Sequence, residues 1–171
     1  MTIKEALLNE HSKAQCMAIK TEVLKNADKM NDLMKCFFSK DERLGQRAAW
    51  PVSYIAIEKP NLIYPYLSNM VHVLDKPHHD AVLRNTVRIL SNIQIPKDLE
   101  GEVYEKCFNF LIQPKLAIAI RVFSMTVCTN IALKYPELKD ELINTIKLFY
   151  KPDAKPAYIS RAKKCLTLLA K

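Results

Sequence analysis

Four arginines recur along the chain at nearly regular intervals, and their regular spacing suggests a row of side chains that could bind a ligand. Arg47, Arg84, Arg121 and Arg161 are separated by 37, 37 and 40 residues, and each begins an apolar stretch with helical periodicity. A guanidinium group binds carboxylates and phosphates through charge-assisted hydrogen bonds. A row of such groups would form a surface that reads an anionic ligand or partner.

Two aromatic side chains accompany the first of these arginines. Trp50, the single tryptophan, follows Arg47 by one helical turn, and Tyr54 follows Trp50 by four residues. Residues three or four apart lie on one face of a helix. Trp50 and Tyr54 would stack a base or anchor a partner peptide. Packing into the core against the next hairpin is the alternative interpretation.

Basic charge is concentrated in the last third of the chain. The net charge is +8, and residues 111–171 carry 11 basic and 4 acidic side chains. A basic groove suits nucleic acid or an acidic protein, whereas lysines on the polar faces of surface helices would serve solubility alone. The candidate partner-binding set is Arg47, Trp50, Tyr54, Arg84, Arg88, Arg121, Arg161 and Lys164.

The sequence offers little for catalysis, a cofactor or a metal. Two glycines cannot build a phosphate-cradling loop or a nucleophile elbow, so we expect no catalytic residue and no cofactor. His72, His78, His79 and Asp80 form one cluster of metal-ligand side chains. Because His78 and His79 are adjacent and converge poorly, this cluster favours a solvated, helix-capping turn over a metal site.

Five cysteines lie at helical positions among apolar residues, and none belongs to a CxxC pair. Their odd number and spacing argue against a disulfide framework, so we interpret them as small core residues in a reducing compartment. The N-terminal segment lacks a signal-peptide pattern. The longest apolar stretch, 116–128, is interrupted by Arg121 and is too short to span a bilayer. A cytoplasmic protein with no membrane association is the expectation.

Helices must position these side chains, because glycine is nearly absent and nine prolines separate apolar segments of helical periodicity. Pro60, Pro96 and Pro136 keep nearly the interval of the arginines, which indicates an internal repeat. We predict one all-α domain over residues 1–171. Its predicted parts are an N-terminal cap at 1–27 and helical hairpins at about 28–59, 60–95, 96–135 and 136–171.

Local signals predict where several helices begin and bend. Ser12, Asp28 and Asp41 are candidate N-caps. Pro51 lies inside the second helix of the first hairpin and should bend it. The predicted helix pairs are 28–39 with 42–58, 61–75 with 79–94, 97–112 with 115–134, and 137–150 with 156–170.

The recurring arginines also have a structural interpretation. A cation near a helix N-terminus is electrostatically unfavourable unless an acidic group offsets it. Asp41 and Asp80 lie near the same turns and could supply that offset. A ladder between repeats, in which arginines bond to aspartates or carbonyl groups, is therefore the alternative to a ligand-facing row.

Residues 62–93 resemble a HEAT repeat. The resemblance consists of a leucine-rich stripe containing a proline, an aspartate after it, a hydrophobic–arginine pair and a second apolar face. The positions that carry it are Leu62, Pro65, Leu67, Val71, Leu74, Asp75, Leu83, Arg84, Val87, Leu90 and Ile93. The other hairpins keep the arginine and the apolar second helix but lack the proline within the first helix.

The resemblance implies a right-handed superhelical solenoid of helix pairs, with the second helices lining the concave side, and it implies no chemistry. The leading hypothesis is a non-catalytic interaction module that binds a protein or peptide partner through the concave face. The alternative is a nucleic-acid-binding protein, distantly similar to HEAT-like DNA glycosylases, that uses the arginine row and the basic C-terminal third.

Overall fold

The computed structural model describes residues 1–77 and 79–171, and these residues form α-helices joined by short turns. The helices are α1 (Ile3–Asn9), α2 (Lys13–Lys25), α3 (Lys29–Phe37), α4 (Glu42–Glu58), α5 (Leu67–Val73), α6 (Asp80–Leu90), α7 (Lys97–Leu111), α8 (Ile118–Ala132), α9 (Lys139–Phe149) and α10 (Pro156–Leu169). Single 3₁₀ turns occupy Pro60–Leu62, Tyr64–Tyr66 and Pro136–Leu138. No strand occurs in the described part of the chain, which confirms the all-α fold class.

The chain divides into two compact units, Met1–Ile93 and Gln94–Lys171. The division falls close to the junction predicted between the second and third hairpins. Each unit has its own central helix and its own buried apolar side chains.

In the first unit, α4 is the central helix, and it packs against α1, α2, α3 and α6. Its buried face includes Val52 and Ile55, which are completely inaccessible to solvent, as are Leu33 and Phe37 of α3. Burial of one large apolar side chain stabilises a fold by roughly 1.5–3 kcal/mol. The apolar contacts of α4 therefore hold the four neighbouring helices around it.

In the second unit, α8 has the corresponding position, because it packs against α7, α9 and α10. Met125 and Cys128 of α8 are completely buried, and so is Ile146 of α9. Tyr158 of α10 is 1% exposed, and its hydroxyl donates a hydrogen bond to the Ile146 carbonyl oxygen at 3.2 Å. The phenol therefore fills the core while its polar atom keeps a partner.

Two of the three predicted N-caps are confirmed. The Ser12 hydroxyl accepts the Gln15 N–H at 3.1 Å, and one Asp41 carboxylate oxygen accepts the Arg43 N–H at 2.9 Å. The prediction for Asp28 is wrong. Its backbone is already helical, with φ −61° and ψ −29°, whereas an N-cap residue is extended, and its side chain makes no capping bond.

The single helix predicted for residues 61–75 is also wrong. Two successive 3₁₀ turns, each with a proline in its first positions, precede the seven-residue α5. Pro60 and Pro65 lack an N–H and cannot continue a ladder of bonds to the carbonyl four residues earlier, so the backbone tightens into single turns. The other predicted helices are present with ends shifted by a few residues.

All five cysteines are buried and free, which confirms their interpretation as core residues. Burial disfavours the thiolate, because the charge loses its hydration, and it raises the pKa of Cys16 to about 11 and that of Cys107 to about 12. No helix in the described residues is both long and apolar enough to cross a membrane.

These thiols should react slowly with Ellman's reagent in the native protein, because the thiolate is the nucleophile and little of it forms below a raised pKa. At pH 8 we expect the five thiols to react at least about a hundredfold more slowly in the folded protein than in concentrated urea, where their pKa returns to the ordinary value. A thiol that reacts at the same rate in both conditions would contradict this burial.

Candidate functional site

Arg47 of α4 binds the end of an earlier helix. Its Nη1 donates to the carbonyl oxygens of Leu7 at 2.8 Å and Leu8 at 2.9 Å, which lie in the last turn of α1. The last carbonyl oxygens of a helix receive no N–H donor from within the helix, and they carry partial negative charge. The half-buried guanidinium therefore satisfies two of these oxygens and fixes α1 against α4.

Arg121 of α8 makes a similar contact in the second unit. Its Nε donates to the carbonyl oxygen of Leu111, the last residue of α7, at 3.0 Å. Its guanidinium carbon lies 4.7 Å from the ring centre of Phe149 and 5.1 Å from that of Tyr158. The residue is 8% exposed, and burial lowers the pKa of the guanidinium from its ordinary value. Its Nη2 is buried and has no hydrogen-bond partner among the residues that the structure describes.

Arg88 and Arg161 make a second kind of contact, to a hydroxyl on the neighbouring second helix. Arg161 Nη1 of α10 lies 2.6 Å from Thr126 Oγ1 of α8, and Arg88 Nη1 of α6 lies 3.5 Å from Ser53 Oγ of α4. The sequence separation is 35 residues in both pairs. The two contacts therefore join second helices of successive hairpins at the same sequence separation.

Each of these hydroxyls also donates to its own helix. Ser53 Oγ donates to the Trp50 carbonyl oxygen at 2.8 Å, and Thr126 Oγ1 donates to the Val122 carbonyl oxygen at 3.1 Å. A hydroxyl can donate one hydrogen bond and accept others. Each hydroxyl thus bridges a main-chain carbonyl to the arginine of the next second helix.

Arg84 and Lys164 differ from these four residues because both are exposed. Arg84 makes no hydrogen bond or ion pair with another residue that the structure describes. Asp80, which was a candidate to offset its charge, begins α6. The repeated arginines therefore have different surroundings: Arg47 and Arg121 bind carbonyl oxygens, Arg161 binds a hydroxyl, and Arg84 extends into solvent.

Trp50 and Tyr54 lie half-buried on α4, beside two cationic or titratable groups. The Trp50 ring centre lies 5.7 Å from that of the exposed His11. The Arg88 guanidinium carbon lies 5.1 Å from the centre of the Tyr54 ring, within the range of a cation–π contact. We call Trp50, Tyr54, Arg84 and Arg88 the aromatic–arginine cluster; its members belong to α4 and α6.

A buried carboxylate in the second unit escaped the sequence analysis. Glu100 of α7 is 4% exposed, forms an ion pair with Lys134 and accepts the Tyr135 hydroxyl hydrogen at 2.7 Å. The hydrogen bonds from Lys134 and then Tyr135 lower the pKa of Glu100. In the sequence, Glu100 is one of two acids in the first turn of a helix, where acids commonly face water. Helical periodicity would have distinguished it from Asp98, because Glu100 lies three and seven residues before Val103 and Cys107 on the buried face of α7.

The histidine turn caps a helix. His79 Nδ1 accepts the Ala81 N–H at 3.0 Å at the beginning of α6, as the capping interpretation expected. His78 lies outside the described residues. Within residues 1–77 and 79–171, no group of three or more His, Cys, Asp or Glu side chains is arranged to hold a metal ion.

A family model described as a HEAT repeat domain matches residues 3–168 of the chain. The match covers nearly the whole sequence, including both compact units. No curated protein and no solved structure matches.

The two arginines at positions 47 and 84 provide a matched test of the carbonyl contact. Arg47→Met should lower the free energy of unfolding by about 1–3 kcal/mol, because two carbonyl oxygens lose a charged donor. Arg84→Met removes the same charge from an exposed position and should change it by less than about 0.5 kcal/mol. Urea unfolding measures the free energy of unfolding of both variants. An equal loss of stability in the two variants would contradict a structural role for the carbonyl contacts of Arg47.

Proposed function

The chain belongs to the HEAT repeat family, and on this premise we propose that it is a non-catalytic module that binds an acidic protein or peptide along its second helices. The family match favours a helical-repeat interaction protein, because stacked helix hairpins present extended and rigid surfaces. In the family's superhelix the second helices line the concave side, and we assign the partner to that side. The match gives no support to the nucleic-acid alternative.

The rigidity of the second helices supports this proposal. In the first unit α4 packs against α6, and in the second unit α8 packs against α10. The hydroxyl bridges from Arg88 and Arg161 add a polar contact to each of these packed pairs. A surface that is already ordered loses little conformational entropy when a partner binds, so more of the contact energy appears as affinity.

The aromatic–arginine cluster is the observation that carries the proposal. Tryptophan, tyrosine and arginine are the residues most enriched at the energetic centres of protein interfaces. Here the half-exposed Tyr54 ring lies beside Arg88, Trp50 is one helical turn earlier on α4, and Arg84 is one helical turn earlier on α6. The rings can cover apolar groups of a partner while Arg84 keeps its guanidinium donors available for a carboxylate.

The charge of the chain favours an acidic partner over a basic one. The net charge is +8, and the exposed Lys164 on α10 adds to the basic excess of the last third. Complementary charge accelerates encounter and disfavours basic competitors. Arg121 contributes little to such a surface, because it is 8% exposed.

Peptides selected from a random phage-displayed library against the full chain would test the proposed surface. We expect the tightest peptides to be rich in acidic and aromatic residues. Arg84→Glu should weaken their binding about tenfold or more, because it replaces a favourable charge pair by repulsion. Tyr54→Ala should weaken it by a similar factor, through loss of an aromatic anchor.

Lys147→Glu is the matched control, because Lys147 is exposed on the first helix α9 and undergoes the same change of charge. It should change the affinity by less than about twofold. An equal effect of Arg84→Glu and Lys147→Glu would leave only a general electrostatic attraction and would overturn the proposed surface. The folded content of each variant is compared by circular dichroism.

A further inference from the structure

A cavity of about 190 Å³ lies within the second unit, between the turn that precedes α8 and the turn that precedes α10. Its apolar walls include Leu116, Ile118 and the ring of Phe149. A cavity of about 150 Å³ admits a benzene molecule, and pockets for drug-sized ligands are larger than about 300 Å³. The volume therefore suits a small ion or a small organic group.

Three cationic side chains and one carboxylate line this cavity. Lys151 and Lys155 are exposed residues of the turn before α10, Asp153 lies between them, and Arg121 extends from α8. The lining of the cavity therefore carries a net positive charge. Such a lining favours an anion over a neutral or cationic ligand.

Arg121 is the buried member of these charged groups. The side chain is 8% exposed and its Nε donates to the Leu111 carbonyl oxygen, but its Nη2 has no acceptor in the described part of the chain. A buried donor without a partner is destabilising, and more so when the group is charged. Arg121 lines the cavity, so an oxygen atom of a ligand there would be an acceptor for one of the guanidinium N–H groups.

Two helix N-termini at the cavity add to the positive potential. Ile118 begins α8 and Lys155 is the N-cap residue of α10, and both line the cavity. Neither helix has a side-chain cap or an acidic residue in its first turn. The first N–H groups of a helix carry partial positive charge and bind phosphate and similar anions. α7 and α9, by contrast, each have two acidic residues in the first turn.

We infer that this cavity, bounded by Arg121, Lys151 and Lys155, is a binding site for a phosphate dianion, either free or carried by a small aromatic or apolar group. A phosphate ester at neutral pH carries about 1.5 to 2 negative charges and has three terminal oxygen acceptors, which matches a cationic lining with several separate donors. The half-buried ring of Phe149 would contact the organic part of a phosphate ester. This site lies within residues 94–171 and does not depend on the proposed partner surface on α4 and α6.

Nuclear magnetic resonance of the full chain labelled with ¹⁵N-arginine and ¹⁵N-isoleucine tests this site. The probes are inorganic phosphate and phenyl phosphate, titrated against sodium chloride of equal ionic strength. We expect saturable shifts of the Arg121 Nε–H and the Ile118 amide with a dissociation constant of about 1 mM or below, and little change with chloride. Tighter binding of phenyl phosphate would identify an organic phosphate as the ligand, and equal or tighter binding of inorganic phosphate would identify the free ion.

The variants avoid the risk that a change at buried Arg121 unfolds the protein. Lys151→Gln combined with Lys155→Gln alters only exposed side chains and should weaken phosphate binding about tenfold or more. Lys163→Gln combined with Lys171→Gln makes the same change of charge at exposed positions outside the cavity lining. This control should alter the affinity for phosphate by less than about twofold. The assignment is overturned if phosphate shifts neither signal beyond the chloride control, or if the two double variants weaken binding equally.

Discussion

The second helices of this fold must pack on two sides at once, and the other features of the structure depend on this constraint. α4 contacts α3 of its own hairpin and α6 of the next one, and α8 contacts both α7 and α10. A helix enclosed in this way has few polar positions that reach water, so its polar atoms need internal partners. Arginine suits this requirement because its long side chain reaches a neighbouring helix and its several N–H groups can bind more than one acceptor.

The structure provides internal partners for these helices through two kinds of arginine contact. The four repeated arginines therefore do not all make the same contact. Arg47 and Arg121 bind carbonyl oxygens at the ends of earlier helices, where a cation is favourable. Arg88 and Arg161 bind hydroxyls that are already bonded to their own helix. Arg84 has neither contact and remains exposed, so it is the repeat arginine most available to a partner.

Much of the fold could be predicted from local patterns, because the apolar period and the caps act within one or two helical turns. Ser12 and Asp41 are examples, since a side chain and an N–H three residues away decide the cap. Asp28 and the 61–75 segment were predicted wrongly, because competing local bonds and two prolines changed the backbone there. The partners of the arginines could not be predicted, because Leu7 and Thr126 are 40 and 35 residues from the arginines that they meet. Only the packing of helices brings such groups together.

The central claim is that an arginine on one second helix stabilises the fold through a hydroxyl on its neighbour. A double-mutant cycle of Arg161→Met and Thr126→Val, measured by urea unfolding of the full chain, tests it most directly. The account predicts a favourable coupling free energy of about 1 kcal/mol or more between the two residues, because their bond is charge-assisted. The cycle of Lys164→Met with Thr126→Val serves as the control and should be additive. Additivity of the Arg161 and Thr126 effects within about 0.3 kcal/mol would contradict the account.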